Sequence, residues 1–262
     1  MSFLRRLKNR WALLGHRAYQ DIRRDWEAAK ASTPNPLLRC GEKYFSQFDE
    51  DGILLEVLRR LDIAEGRFVE IGVGNGTENN TLILMAHGWS GLWIGAEPLV
   101  WQPSGRRLTF TQAFVTAESV CDLVGDRACD VLSLDIDGND YWIAQTLLGH
   151  LTPRVVIVEY NAKCPPPVRF VMPYDPAHQW DSSDYFGASL AAWAHLLAEF
   201  AYRPVCCSYL GTNAFFVRSA DLNLFKDVPC ALADLYRPAA HLGPLESGHP
   251  ASPRTLAVLE RQ

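Results

Sequence analysis

The chain of 262 residues lacks any apolar run approaching the ~18 residues that a membrane span requires, because charge interrupts every such run well before that length. Its N-terminus has neither an uninterrupted apolar stretch nor a small-residue cleavage site, so the expectation is a cytoplasmic protein. No C-x-x-C pair occurs among Cys40, Cys121, Cys129, Cys164, Cys206, Cys207 and Cys230, which argues against a zinc site of that kind, and seven cysteines over this length are too sparse for a disulfide scaffold. They read as reduced packing thiols. No internal repeat or low-complexity tract is visible, which leaves solenoids and propellers without support.

Positive charge is scarce outside the first thirty residues. The net charge is −5, but residues 1–30 carry eight Lys/Arg against three acids, leaving seventeen against twenty-seven for the remainder. Nucleic acid is therefore a poor partner for the main body. The basic head places Phe3, Leu4, Leu7, Trp11, Leu14 and Ala18 at helical spacing. Such a helix packs on its own domain or a dimer mate, or lies on an anionic membrane or partner protein. The breaker cluster Ser32–Pro36 divides the chain into a head (1–36), a catalytic domain (37–220) and a Pro/Gly-rich tail (221–262), expected to wrap the domain loosely or reach a second subunit.

What the composition does supply is one good core, with 48% hydrophobic residues. Ser46 is a candidate N-cap for a helix over 46–62, with Ile53, Leu54, Val57, Leu58 and Leu61 on one face. From Arg67 short β-rich runs at 67–73, 91–97, 108–115, 131–137 and 154–160 alternate with helical stretches near 77–88, 116–125 and 140–149. That alternation predicts a doubly wound α/β fold with a mostly parallel sheet. After an irregular segment at 162–184 come a helix at 185–201 and strands at 203–210 and 212–218, whose short connection at Gly211 permits only an antiparallel hairpin.

The strongest chemical signal is the strand and turn Phe68-Val-Glu70-Ile-Gly72-Val-Gly74-Asn75-Gly76-Thr77. Glycines there let backbone approach a nucleoside where a Cβ would collide. Dinucleotide sites favour G-x-G-x-x-G, whereas this pattern is E-x-G-x-G-x-G and position 77 is Thr. Glu70 would repel a pyrophosphate but suits a cationic amino-acid group, directly or through water. S-adenosylmethionine carries such a group, and a sulfonium besides. Glu97, twenty-one residues after Gly76, is placed to accept hydrogen bonds from ribose hydroxyls. By analogy of fold alone, the third-strand exit with Glu118 is where an adenine edge would lie.

The fourth strand ends Leu134-Asp135-Ile136-Asp137-Gly138-Asn139-Asp140 and the fifth Val158-Glu159-Tyr160-Asn161, which brings several acids to one sheet edge. An EF-hand is ruled out, since Gly138 sits two positions too early and no acidic twelfth ligand follows.

With Asp135, Asp137, Gly138, Asp140 and Glu159 in these places, the region from about Tyr44 to Arg218 resembles the FkbM-type family of class I methyltransferases. Supporting motifs are Ser46-Gln47, Glu50-Asp51-Gly52, Gly88-Trp89-Ser90-Gly91-Leu92-Trp93, Tyr141-Trp142 and Phe186-Gly187-Ala188-Ser189-Leu190. The resemblance implies a seven-stranded sheet, S-adenosylmethionine as donor and O-methylation of a hydroxyl on a sugar, glycan or natural product.

On that reading Glu70, Gly72, Gly74, Asn75, Gly76, Glu97, Glu118 and Asp135 bind the cofactor, and Asp137, Glu159 and His178 are the candidates for taking the acceptor's proton. Asp135, Asp137 and Glu159 are alternatively ligands for Mg²⁺, which lowers a hydroxyl's pKa by coordination. Trp180, Tyr185 and Tyr141-Trp142 suit stacking on a ring, and Asp181 is a further acid of the irregular segment. Two other functions stay open here. One is a non-catalytic, cofactor-binding partner of a glycan-synthesis assembly, homo-oligomeric or not; the other, disfavoured by glycine spacing and hairpin, is a nicotinamide-dependent oxidoreductase.

Overall fold

A computed structural model of the chain describes residues 23–24, 26–240 and 248–261. The basic amphipathic head therefore lies almost wholly outside the described residues. Seven strands form one sheet: β1 (Arg67–Ile71), β2 (Ser90–Gly95), β3 (Leu108–Gln112), β4 (Val131–Leu134), β5 (Val155–Glu159), β6 (Tyr202–Cys207) and β7 (Asn213–Arg218). Their order is β3-β2-β1-β4-β5-β7-β6. β1 to β5 pair in parallel, and β7 runs antiparallel between β5 and β6. This is the doubly wound, mostly parallel seven-stranded sheet with a terminal hairpin that pattern and resemblance together lead one to expect.

Residue alternation explains the two layers. Val69 and Ile71 of β1 face one apolar layer with Leu134, Val158 and the fully buried Trp193, while Phe68 faces the other with Ile53, Leu54, Trp93 and Phe215. Helices Asp140–Leu148 and Leu190–Glu199 cover the first face, and Glu50–Arg60 covers the second. Burying each large side chain contributes roughly 1.5–3 kcal/mol, so both faces of β1 and β4 are committed to the core. Only the strand ends are free for chemistry.

Helices are shorter than their sequence patterns, for local reasons. The first begins at Glu50, four residues after Ser46, because the Asp51 carboxylate accepts the backbone N–H groups of Tyr44, Phe45 and Ser46 at 2.7, 2.6 and 2.8 Å and holds that stretch as a turn. The stretch expected from 77 is helical only over Leu82–Ala86, since Glu70 captures the N–H groups of Asn80 and Thr81. At 116–125 the helix is confined to Val120–Val124. Helix Leu190–Glu199 starts where the Ser189 hydroxyl accepts the N–H of Ala192.

Neither flank is loose where it is described. Asn35 caps helix Pro36–Arg39 and donates its side-chain amide to the carbonyl of Val205 on β6 at 2.8 Å. The tail forms a 3₁₀ turn at Ser219–Phe225 and helices at Leu232–Leu235 and Pro253–Leu259. Ser252 N–H (2.8 Å) and Thr255 hydroxyl (2.7 Å) donate to the buried carboxylate of Asp184, which also pairs with Lys163 at 3.2 Å. The tail thus does wrap the domain, but as a fastened strap. Among the described residues, no helix is long and apolar enough to cross a membrane.

Candidate functional site

β1 pairs with both β2 and β4, and the chain leaves it in opposite directions along the sheet, which opens a crevice at the carboxyl ends of these strands. A cleft of about 750 Å³ lies there, lined at one end by Gly72 to Asn75 and Glu97 and at the other by Asp135, Asp137, Glu159 and His178. That volume suits a small-molecule site.

The three loop glycines are required for different reasons. A Cβ on Gly72 would stand 1.5 Å from the Asp135 carbonyl oxygen, so this glycine lets β1 and β4 approach each other. One on Gly76 would meet Leu99 Cδ2 at 2.8 Å. Gly74 differs: a Cβ there would meet nothing within 4 Å, although its φ of +49° is still a glycine-favouring conformation. The space over Gly74 is part of the open cleft, a cradle that a side chain would fill. Glu97 follows β2, exposed and on the cleft wall. Asn75 accepts the N–H and hydroxyl of Thr77 (3.1 and 2.6 Å), which fixes the turn.

Two expected cofactor contacts are corrected. Glu70 does not line the cleft: it is buried, and its oxygens accept from Asn80 N–H (2.9 Å), Thr81 N–H (3.2 Å) and the Thr81 hydroxyl (2.5 Å). Burial, opposed by the Thr81 hydroxyl and neighbouring amides, raises its pKa to about 7. It shapes the turn beneath the loop. Glu118 is also off the cleft, exposed, and accepts the Tyr174 hydroxyl at 2.5 Å. Here Phe114 and Val115 form the wall instead.

At the acidic end one oxygen each of Asp135, Asp137 and Glu159 lies within 4.8 Å of the others. The half-buried Asp135 and Glu159 have pKa values raised well above the ordinary carboxylate value, because burial opposes ionisation, as do the charges of Asp137 and Asp140 on Asp135 and those of Asp135, Asp137 and Asp140 on Glu159. Asp137 is raised to about 6 by burial and by Asp140. Glu159 Oε2 is buried without a hydrogen-bond partner, as is His178 Nε2. Both are costly unless something else occupies the cleft.

Asp140 builds this end, a role the sequence reading did not assign to it. Its carboxylate accepts the N–H groups of Ile136 (2.8 Å) and Gly138 (3.0 Å), closing the loop and holding Asp137 at φ +55°. A left-handed aspartate at a strand end is a sparsely populated state that such bonds make affordable.

The irregular segment 162–184 brings His178 and Trp180 to the strand ends, and His178 is buried against Gly138, where a Cβ would stand 2.6 Å from its ring. Trp180 reaches the cleft, but Tyr141 and Trp142 do not: Tyr141 packs on Trp193, and Trp142 donates its indole N–H to Met172 O at 2.8 Å. Tyr185 is buried beneath the Arg254 guanidinium, 3.9 Å from its ring. Asp181 stays outside the cleft and accepts from Ser183. His249 of the strap lines the cleft and was invisible to local pattern.

No family model matches the chain, and no curated protein matches it. Among solved structures, the chain is similar to the MycE methyltransferase from the mycinamycin biosynthetic pathway in complex with Mg and SAH (15% identity, TM-score 0.42). That match covers 68% of this chain and 50% of the other. It is also similar to the SAH-bound Podospora anserina methyltransferase PaMTH1, with 11% identity and a TM-score of 0.40, covering 66% of this chain and 79% of that one. A candidate hemolysin of Lactococcus lactis gives 10% identity, a TM-score of 0.39 and coverage of 63% and 85%. Likeness at this level says nothing about activity.

Proposed function

We propose that this chain is an S-adenosylmethionine-dependent methyltransferase that O-methylates a sugar, glycan or natural product. The observation that carries the reading is a single cleft joining the vacant cradle over Gly74, with Glu97 beside it, to the acidic ends of β4 and β5. Gly74 leaves room for the nucleoside, and Glu97 accepts from the ribose hydroxyls. A nicotinamide dinucleotide is less well served. Its pyrophosphate needs a helix N-terminus directly after the glycine turn, but the helix here begins only at Leu82 and spans five residues.

Bound in this cleft, S-adenosylmethionine supplies the methyl group from its sulfonium. The chain's own contribution is to align the acceptor in the remaining volume, exclude water with the 162–184 segment and take up the hydroxyl proton. Asp137, Glu159 and His178 all border that volume. Holding Asp137 in place through Asp140 keeps a carboxylate oxygen at the reacting end.

A divalent-metal reading of the same acids has its own support in the partnerless Glu159 Oε2 and the close approach of three carboxylates. Oxygens sharing one Mg²⁺ lie about 3–4 Å apart, within reach of small side-chain rotations. Asp135, Asp137 and Glu159 would hold the ion, which would lower the acceptor hydroxyl's pKa. The experiment is release of S-adenosylhomocysteine over a panel of glycosides, glycans and hydroxylated natural products, with and without EDTA. Turnover that EDTA abolishes and Mg²⁺ restores supports the metal reading; turnover undisturbed by EDTA leaves the carboxylates as proton acceptors. Absence of turnover with every hydroxyl acceptor, alongside methylation of an amine, would overturn O-methylation.

A further inference from the structure

The acceptor end of the cleft joins the acids that the proposed reaction uses to a wall that the reaction does not by itself require. Asp135, Asp137 and Glu159 border the acceptor end and Glu78 and Glu97 the glycine-loop end, where Lys43 pairs with Glu78 at 3.3 Å; among the described residues no Lys or Arg lines the cleft itself. Lys163 of the 162–184 segment is held by other partners: its Nζ donates to the His249 carbonyl at 2.7 Å and pairs with Asp184. With Asp135 and Glu159 both protonated, or with one divalent cation bound, the remaining carboxylates still leave the cleft anionic. An acceptor bearing phosphate or carboxylate would enter against that field, with no guanidinium or ammonium among the residues lining the acceptor end to receive it.

The wall is aromatic. Trp180 and His249 cross edge to face at 4.7 Å, and Phe186 packs on both, at 6.4 and 5.9 Å. Trp180 keeps 36% of its surface exposed and donates its indole N–H to Ser183 O at 2.9 Å, and so is fixed while part of its ring stays open to the cleft. His249 and Trp180 lie 69 residues apart in sequence. They meet because Asp184 fastens Ser252 and Thr255 of the strap to the segment that carries Trp180. A rigid aromatic edge beside carboxylates matches a ring with an apolar face and hydroxyl rim, since ring C–H groups stack and hydroxyls donate to carboxylates.

We infer that the acceptor is an uncharged glycoside ring, seated on Trp180 and His249, and that phosphorylated sugars and nucleotide sugars are rejected. This rests on the methyltransferase reading of the same cleft. The test uses the full chain saturated with S-adenosylhomocysteine and saturation-transfer NMR with the 4-nitrophenyl glycosides of glucose, galactose and mannose, each beside its 6-phosphate. At least one neutral glycoside is expected to bind, with its 6-phosphate weaker by about tenfold or more. Trp180→Ala and His249→Ala should each abolish that signal, Trp180→Phe should keep it, and S-adenosylhomocysteine affinity should be unchanged in all three. Equal or tighter binding of the phosphates, glycoside signals that survive both alanine variants, or refusal of every neutral glycoside by the loaded protein would overturn the acceptor inference alone. Failure to bind S-adenosylhomocysteine at all would instead remove the methyltransferase reading beneath it.

Discussion

The two ends of the cleft are built in opposite ways. At the nucleoside end, space is made by residues close in sequence, with Gly74 leaving a void between Gly72 and Gly76, which the fold itself needs. At the acceptor end, the wall is assembled from the ends of β4 and β5, the 162–184 segment and the strap, joined through Asp184. The first end is a property of one turn; the second exists only in the folded chain. On the proposed function, donor recognition rests on local geometry and acceptor choice on long-range packing, so variants at the two ends should fail differently.

The largest effect is expected at the acidic end. Asp137→Asn and Glu159→Gln should each lower turnover by about 10²–10⁴-fold, the range typical of a lost proton acceptor, while S-adenosylhomocysteine affinity stays near wild type. Steady-state rates alongside calorimetric affinities check this. If donor affinity falls in parallel, the two ends are not separate.

Next comes Gly74→Asn. Asparagine tolerates positive φ, so the turn should persist while the side chain fills the cradle, weakening donor binding at least about tenfold. Unchanged affinity in a variant with wild-type melting would show that the open space over Gly74 is not the nucleoside's. Glu97→Ala should cost donor binding roughly 1–3 kcal/mol, as for other hydrogen bonds to a charged group, with the fold intact.

The smallest effect concerns stability. Glu70 is raised from its ordinary 4.5 to about 7 in the folded chain, so between those values the native state binds the extra proton. Its contribution to stability therefore falls as pH rises from about 4.5 to 7 and is level above that. Urea unfolding across that window should show a shallower pH slope for Glu70→Gln than for wild type. An identical slope would mean that Glu70 titrates normally and is not buried as described.

How much of this could be read from sequence follows the same division. The mostly parallel sheet and the hairpin follow from alternation and from the short Gly211 connection, whereas the strand order is visible only in the fold; Gly74, Glu97, Asp137 and Glu159 fall on the cleft because strand ends are local features. Glu70 misled because an acid before a glycine turn has two uses, and backbone N–H groups at 80 and 81, orphaned at the start of a helix, compete for it. Tyr141 and Trp142 misled because aromatic residues at a helix start face core or ligand with no difference in sequence. Asp140 had a detectable signal, an acid at the first helical position able to cap the loop before it. His249 had none, since the strap's path is set by Asp184 and Lys163, which lie 65 and 86 residues before it in sequence and meet the strap only in the fold.

The central claim is that the cradle over Gly74 receives S-adenosylmethionine, and calorimetric titration of the purified chain tests it most directly. The account predicts saturable binding of S-adenosylmethionine and of S-adenosylhomocysteine at one mutually exclusive site, and no binding of NADH. No heat with either sulfur ligand, or NADH saturating the site, would contradict it.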